Sequence, residues 1–306
     1  MQSIVLIIPY FGPFKGYLDF WLKSVEKNST INFLLITDQK NIVVPSNVEV
    51  IFMEFTSCKE LIQSKFDFEI LNLHPYKLCD FKPAYGYIFH EYIRDFDFWG
   101  HCDNDLIFGD IRYFIADEIL EKYDRILSRG HFTLYRNNME VNESFMKAVP
   151  SYRSVFTSGL VFHFDEHPGT GGYWFKNLPD RIYEKIIFDD LNWEKYKFID
   201  VHKFNTLDRN RKYFIYLFEN GKLYRCFWDG RKVDREEIMY VHFQKRFMKV
   251  NTLVSNYFTI IPNRFVAYNS NLGYQYLKDS NKGGFLYAFY HFVRIKFNSL
   301  KLKINL

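Results

Sequence analysis

Hydrophobic positions in this chain come first as short unbroken runs and then as a spaced stripe. "SIVLIIPYFGPF" is a strand-like run stopped by a Pro/Gly turn, and "INFLLITD" and "VEVIFMEF" repeat the pattern of a short apolar run ended by polar or charged residues. Runs without alternation predict parallel strands covered on both faces. Between the first two, "YLDFWLKSVEKN" sets Leu18, Trp21, Leu22 and Val25 on one helical face. Strand, helix, strand predicts a right-handed βαβ start.

From Tyr76 to Arg94 the pattern predicts a loop around Lys82-Pro83 that runs into a helix and delivers the chain to a fourth strand, "FDFWGHCD". Asp103 then stands at that strand's carboxyl end, and in open α/β sheets ligands bind in the crevice outside those ends. "IRYFIADEILEKY" reads as a helix, "HFTLYRN" and "GLVFHF" as further strands, and Asn220-Gly221 between two aromatic-rich runs as a hairpin turn. No internal repeat or low-complexity segment interrupts the chain. The expected fold is α/β: a mixed, mainly parallel sheet flanked by helices over residues 1–265, with a basic helical extension over 266–306.

Composition changes the picture in one respect. Aromatics make up 20% of the 306 residues, with 34 Phe and 23 Tyr, more ring surface than a core usually needs. The formal charge of +4 comes from cations interleaved with acids, which argues against nucleic acid as a partner. Cys58, Cys79, Cys102 and Cys226 show no CxxC or Cys/His ligand spacing, so a reducing cytoplasm is the expected compartment. The run from Ile4 to Ile8 has no basic residue before it and is cut by Pro9, too short for a signal peptide's apolar region. No stretch reaches the roughly 18 apolar residues of a membrane span.

The candidate chemistry centres on "FWGHCDNDLIFGDI". Side chains two apart on an extended segment point the same way, so Asp103 and Asp105 are placed to share one divalent cation. Oxygen ligands suit Mg²⁺ or Mn²⁺ with positions left for phosphates. A solvated loop or helix cap is the plain alternative for Asp-x-Asp alone. The aromatic strand before it and "LIFGD" after it, where Gly109 and Asp110 can turn and cap a helix, favour a site.

With its short loop after the first strand, "TD" closing the second, an "FKP" loop and a strand ending in Asp-Asn-Asp, the sequence resembles nucleotide-sugar glycosyltransferases of the GT-A fold. "LCDFKPAYGYIF", "FWGHCDNDLIFGD" and "YVHFQKR" are similar to a bacterial family of glycosyltransferase-like proteins associated with capsule and O-antigen synthesis. The resemblance implies a UDP-sugar donor, Mn²⁺ or Mg²⁺, and a glycan or lipid-linked glycan acceptor. It implies that Pro9, Tyr10 and Phe11 cradle the base, that Asp38 accepts from base or ribose, that Asn104 lies among the donor contacts, and that His242 is a metal or diphosphate ligand.

Other residues are read from their own surroundings. Lys82, held extended by Pro83, points to phosphate or ribose contact, with Asp80 as its orienting partner. "YVHFQKRFMK" is expected to set His242, Gln244 and Arg246 on one side of an extended segment and Phe243 and Lys245 on the other. Lys245 and Arg246 would neutralise the leaving diphosphate, or form a solvated basic patch. Asp165 or Glu166 is the expected acceptor base, with Tyr173 and Trp174 as an acceptor platform. After Asp279 come Lys282, Arg294, Lys296, Lys301 and Lys303 but no acid. Residues 285–303 fit either peripheral contact with an anionic inner membrane face or a helix on the domain itself. A sugar-binding protein without catalysis, and a nucleotidyl- or phosphotransferase, are the competing function classes. The latter usually needs a glycine-rich phosphate loop, which the sequence lacks.

Overall fold

The computed structural model describes residues 1–148, 151–165, 181–183, 185, 187–191, 211–244, 246–282 and 293. The architecture is mixed α/β. The chain divides into two compact units, one built from Met1–Phe14, Asn28–Asn104 and Arg112–Ile186, the other from Lys15–Lys27, Asp105–Ile111 and Ile187–Leu306.

The first unit holds a seven-stranded sheet. Its strands are β1 (Ile4–Tyr10), β2 (Asn32–Thr37), β3 (Val48–Phe52), β4 (Phe98–Cys102), β6 (Arg125–Arg129), β7 (Phe132–Arg136) and β8 (Ile182–Tyr183). They lie in the order β3-β2-β1-β4-β7-β6-β8. The pairs β3/β2, β2/β1, β1/β4 and β6/β8 are parallel, while β4/β7 and β7/β6 are antiparallel. The predicted mainly parallel sheet is therefore present. All five residues of β4, His101 among them, are buried, as in a strand covered on both faces. On one face Val5, Ile7, Leu34, Ile36 and Trp99 join a core with Cys58 and Ile62 of the helix Phe55–Ser64.

The approach to β4 departs from the expected loop and helix. Pro75–Ala84 is a 3₁₀ helix, followed by short α turns at Tyr85–Ile88 and His90–Ile93. Gly86 lies against the Trp99 indole so closely that a Cβ there would stand 2.3 Å from the ring. Trp99 itself stacks on Tyr135 at 4.4 Å and donates to Asn142 at 2.6 Å. "GLVFHF" forms no strand. The backbone N–H groups of Phe162 and Phe164 donate to the Asp80 carboxylate instead of to a ladder.

The second unit contains two sheets. Three short strands, β5 (Leu106–Phe108), β9 (Asp189–Asp190) and β13 (Tyr240–His242), lie in the order β5-β13-β9. The larger sheet has the order β12-β11-β10-β15-β16-β14, formed by β10 (Lys212–Glu219), β11 (Lys222–Trp228), β12 (Val233–Ile238), β14 (Lys249–Val250), β15 (Tyr257–Ile261) and β16 (Arg264–Ala267). Asn220 and Gly221, at φ 48° and 99°, make the predicted two-residue hairpin turn between β10 and β11. The abundant rings find their place here. Phe20 of α1 (Leu18–Glu26) stacks on Phe265 at 4.3 Å and meets Phe258 edge-on at 4.9 Å, and Tyr17 meets Phe243 at 5.8 Å. The helix between β1 and β2 thus belongs to the second unit's core. Among the described residues no helix is long and apolar enough to cross a membrane.

Candidate functional site

In the first unit, Asp103 directly follows β4, the position the sequence predicts. Its backbone N–H is fixed by the His131 carbonyl at 3.0 Å, and its side chain keeps 34% exposure. Lys82 reaches it from the 3₁₀ helix: the ammonium lies 2.7 Å from Asp103 Oδ1, 2.7 Å from the Gly130 carbonyl and 2.9 Å from Asp165 Oδ2. Burial works against the charge on Lys82, but the Asp103 and Asp165 carboxylates outweigh it and hold its pKa well above the usual lysine range. Asp165 is nearly buried, whereas Asp103 keeps about a third of its side chain exposed.

The expected orienting pair of Asp80 with Lys82 is not what forms. Asp80 and Lys77 are both fully buried and paired at 2.7 Å. In a 3₁₀ turn residues i and i+3 eclipse, which matches Asp80 to Lys77 and leaves Lys82, two residues on, facing elsewhere. Lys77 also donates to the carbonyls of Val155, at 2.9 Å, and Leu160. Asp80 accepts from Phe162 N at 3.0 Å and Phe164 N at 2.9 Å. This ion pair rivets residues 155–164, and with them Asp165, to the 3₁₀ helix.

In the second unit, β13 pairs His242 with Leu106 on one side and with Asp190 on the other. That register brings His242 Nε2 to 3.2 Å from Asp105 Oδ1 and His242 Nδ1 to 2.9 Å from Asp190 Oδ1. Lys15 places its ammonium 3.0 Å from Asp105 Oδ2. Burial lowers the His242 pKa, yet attraction and hydrogen bonds from Asp105 and Asp190 prevail and lift it to about 10. Beside Asp190, the fully buried Asp189 is held by Arg225 at 2.8 Å and by the Tyr216 hydroxyl at 3.1 Å, fixing β9 in place.

The remaining predicted residues fall as follows. Asp38, at the end of β2, accepts from Gly12 N at 2.9 Å and Gln39 Nε2 at 2.7 Å, so it braces the loop after β1, where Gly12 has φ 99°. Pro9 and Tyr10 end β1. Tyr10 stacks on Phe14 at 4.8 Å, while Phe11 is buried against Phe55 at 5.0 Å. Asn104 is half-buried and is the last residue of its segment of the first unit. The alternation expected for "YVHFQKR" stops after β13. Gln244 takes φ 46°, Arg246 N turns back to the Phe243 carbonyl at 3.0 Å, and the buried Arg246 guanidinium donates to Asn263 at 3.2 Å. Glu166, Tyr173, Trp174, Lys245 and residues 285–292 and 294–303 lie outside the described residues. Sequence reasoning missed Lys15, Lys77 and Asp190. The signal for Asp190 was available as two acids set between the apolar residues of "IIFDDL".

Residues 6–269 match the profile of DUF6625, a family of unknown function. The chain belongs to the DUF6625 family. No curated protein matches the sequence of this DUF6625 member significantly. Among solved structures, it is similar to the galactosyltransferase LgtC in complex with donor and acceptor sugar analogues, at 12% identity and a TM-score of 0.29, over 51% of this chain and 66% of that one, just under two thirds of its length. An active-site mutant of LgtC matches at 10% identity and a TM-score of 0.34, over 63% of this chain and 79% of that one. Mouse xyloside xylosyltransferase 1 in its apo form matches at 12% identity and a TM-score of 0.32, over 65% of this chain and 91% of that one.

The donor chemistry of the DUF6625 site fits a hard to borderline divalent ion. Asp105 Oδ1 and His242 Nε2, 3.2 Å apart, are spaced much as neighbouring ligands are around an octahedral ion with bonds of about 2.1 Å. The Asp190 carboxylate on the opposite ring nitrogen is the outer partner that metal-binding histidines commonly have.

Proposed function

We propose that this protein is a metal-dependent glycosyltransferase that moves a hexosyl unit from a UDP-sugar to a glycan or lipid-linked glycan of a bacterial surface polysaccharide, working in the cytoplasm at the inner membrane face. One observation carries the reading: the carboxylate at the carboxyl end of β4, Asp103, is partly open and is paired at 2.7 Å with the mostly buried Lys82. Asp103, Asp105 and His242 would hold Mn²⁺ or Mg²⁺. When bound, the ion supplies positive charge to the departing diphosphate. Lys82 adds a fixed ammonium beside Asp103, and because its charge is set by two carboxylates it persists through the working pH range. Asp190 keeps His242 Nε2 turned to the Asp105 carboxylate. Asp38 braces the loop of Pro9, Tyr10 and Phe11, which we assign to the nucleoside, with Asn104 and the segment of Lys245 and Arg246 assigned to the diphosphate. Asp165 or Glu166 takes the proton of the acceptor hydroxyl.

The test is release of UDP from UDP-sugars in the presence of Mn²⁺, with and without chelator. Chelator-sensitive release that vanishes in Asp105→Ala supports the proposal, and chelator-insensitive release, or none with any UDP-sugar, refutes it. A second reading, a sugar-binding protein that needs no metal, is favoured by one feature. Asp103 and Asp105 each already have a lysine partner, Lys82 and Lys15. It predicts glycan binding unchanged by chelator and no hydrolysis of the donor.

A further inference from the structure

We propose that Cys79, His163 and Asp165 form a second metal site, distinct in chemistry from the Asp-Asn-Asp site, that takes a thiophilic divalent cation of the zinc class. One donor atom from each residue lies within 4.8 Å of the other two. Bonds of about 2.0–2.3 Å put tetrahedral ligands roughly 3.3–3.8 Å apart, so a closure of about 1 Å by side-chain rotation completes the set. The set is one thiol, one imidazole and one carboxylate. Soft sulfur favours zinc over manganese or magnesium, and three protein ligands leave a fourth position open.

The backbone around these residues is built to hold them together. Cys79 immediately precedes Asp80, and the Asp80 carboxylate accepts the N–H groups of Phe162 and Phe164, the two neighbours of His163. Lys77 pins the same segment through the Leu160 and Val155 carbonyls. The three donors therefore sit on two segments joined by a fully buried ion pair. His163 takes φ 51°, a left-handed conformation that is uncommon outside glycine. His163 is exposed, Cys79 half-buried and Asp165 buried.

Binding is a substitution in which charge and protons balance. The Cys79 S–H bond breaks, its proton passes to solvent, and an S–metal bond forms. Asp165 exchanges the Lys82 ammonium for the ion, while Lys82 keeps Asp103 and the Gly130 carbonyl. The site does not need the glycosyl-transfer reading, and a metal-bound Asp165 leaves the acceptor base of that reading to Glu166.

The experiment is titration of metal-free full-length protein with Co²⁺, a spectroscopic stand-in for zinc, followed by competition with Zn²⁺. We expect a thiolate-to-cobalt charge-transfer band that saturates at one equivalent and is abolished by one equivalent of zinc. Cys58, Cys102 and Cys226 are buried, and among the described residues Cys79 alone of the four joins a cluster of metal-ligating groups, so the band reports this site. Cys79→Ser should remove the band. His163→Ala, at an exposed position that tolerates truncation, should weaken zinc by at least the 10- to 100-fold typical of lost ligand support. Asp105→Asn, whose carboxylate meets Lys15 and His242 instead, should leave both intact, which separates this site from the proposed catalytic metal. Absence of a thiolate band in wild type, a band that persists in Cys79→Ser, or zinc affinity unchanged in His163→Ala overturns the proposal.

Discussion

Asp80→Ala is the substitution that most directly tests how the site is held. It leaves the Lys77 ammonium fully buried without its carboxylate and strips Phe162 N and Phe164 N of their acceptor. Breaking a buried pair by removing one partner costs about 3–5 kcal/mol. Each orphaned N–H adds about 1–3 kcal/mol unless its segment swings out to water. Release of residues 160–165 to solvent is the cheaper outcome, so the expected loss is about 4 kcal/mol. For a unit of this size that corresponds to a fall in Tm of roughly 8–16 °C, read by thermal unfolding under tryptophan fluorescence, since Trp99 lies in this unit's core. Lys77→Met combined with Asp80→Asn keeps an acceptor for the two amides and removes both charges, and should recover most of the loss. A fall of less than about 2 °C in Asp80→Ala, or a double variant no better than the single one, would refute the claim that this pair rivets the segment.

Four further outcomes follow from the geometry. Asp105→Ala should lower turnover by about 10²-fold or more, measured as UDP release under saturating donor, as for loss of a preorganised charge stabiliser; wild-type turnover would end the metal assignment. Asp190→Asn should weaken Mn²⁺ by about 10–100-fold in calorimetry while the melting temperature stays near wild type, because it frees the His242 ring without removing a ligand; unchanged affinity counts against its positioning role. His242 has a folded pKa of about 10 against 6.5 unfolded, so its contribution to metal-free stability is fully present below pH 6.5 and is lost as pH rises through 10. Urea midpoints should therefore fall across that window in wild type and less steeply in His242→Gln; parallel slopes would contradict the shift. Gly86→Ala, whose Cβ would stand 2.3 Å from the Trp99 ring, should destabilise by about 1–3 kcal/mol, and an unchanged denaturation midpoint would show that the helix can slide off the indole.

The parallel half of the first sheet was legible because β1, β2 and β4 are largely covered on both faces and so carry mainly apolar rather than alternating runs. Asp103 could be placed because a strand that turns from "FWGHC" to "DND" must end there, and the β10–β11 turn because Asn-Gly takes left-handed angles cheaply. What escaped was whatever depends on capture by a distant partner. "GLVFHF" has a strand's composition, yet Asp80 takes its amides. "YVHFQKR" alternates on paper, yet Gln244 turns left-handed and Arg246 folds back to Asn263. Asp190 meets His242 only through the pairing of β9 with β13, and Lys15 reaches Asp105 from the loop before α1, 90 residues away in the chain. No local pattern encodes that register.

The second unit's core also has a consequence for how the chain is made. Phe20 must wait for Phe258 and Phe265 before it has anything to stack on. At about 5–20 residues per second of synthesis, an emerging chain carries the Phe20 ring without these two partners for roughly ten to fifty seconds. Moving Lys15–Lys27 to follow β16 by gene rearrangement should shorten that wait and raise soluble yield when chaperones are limiting.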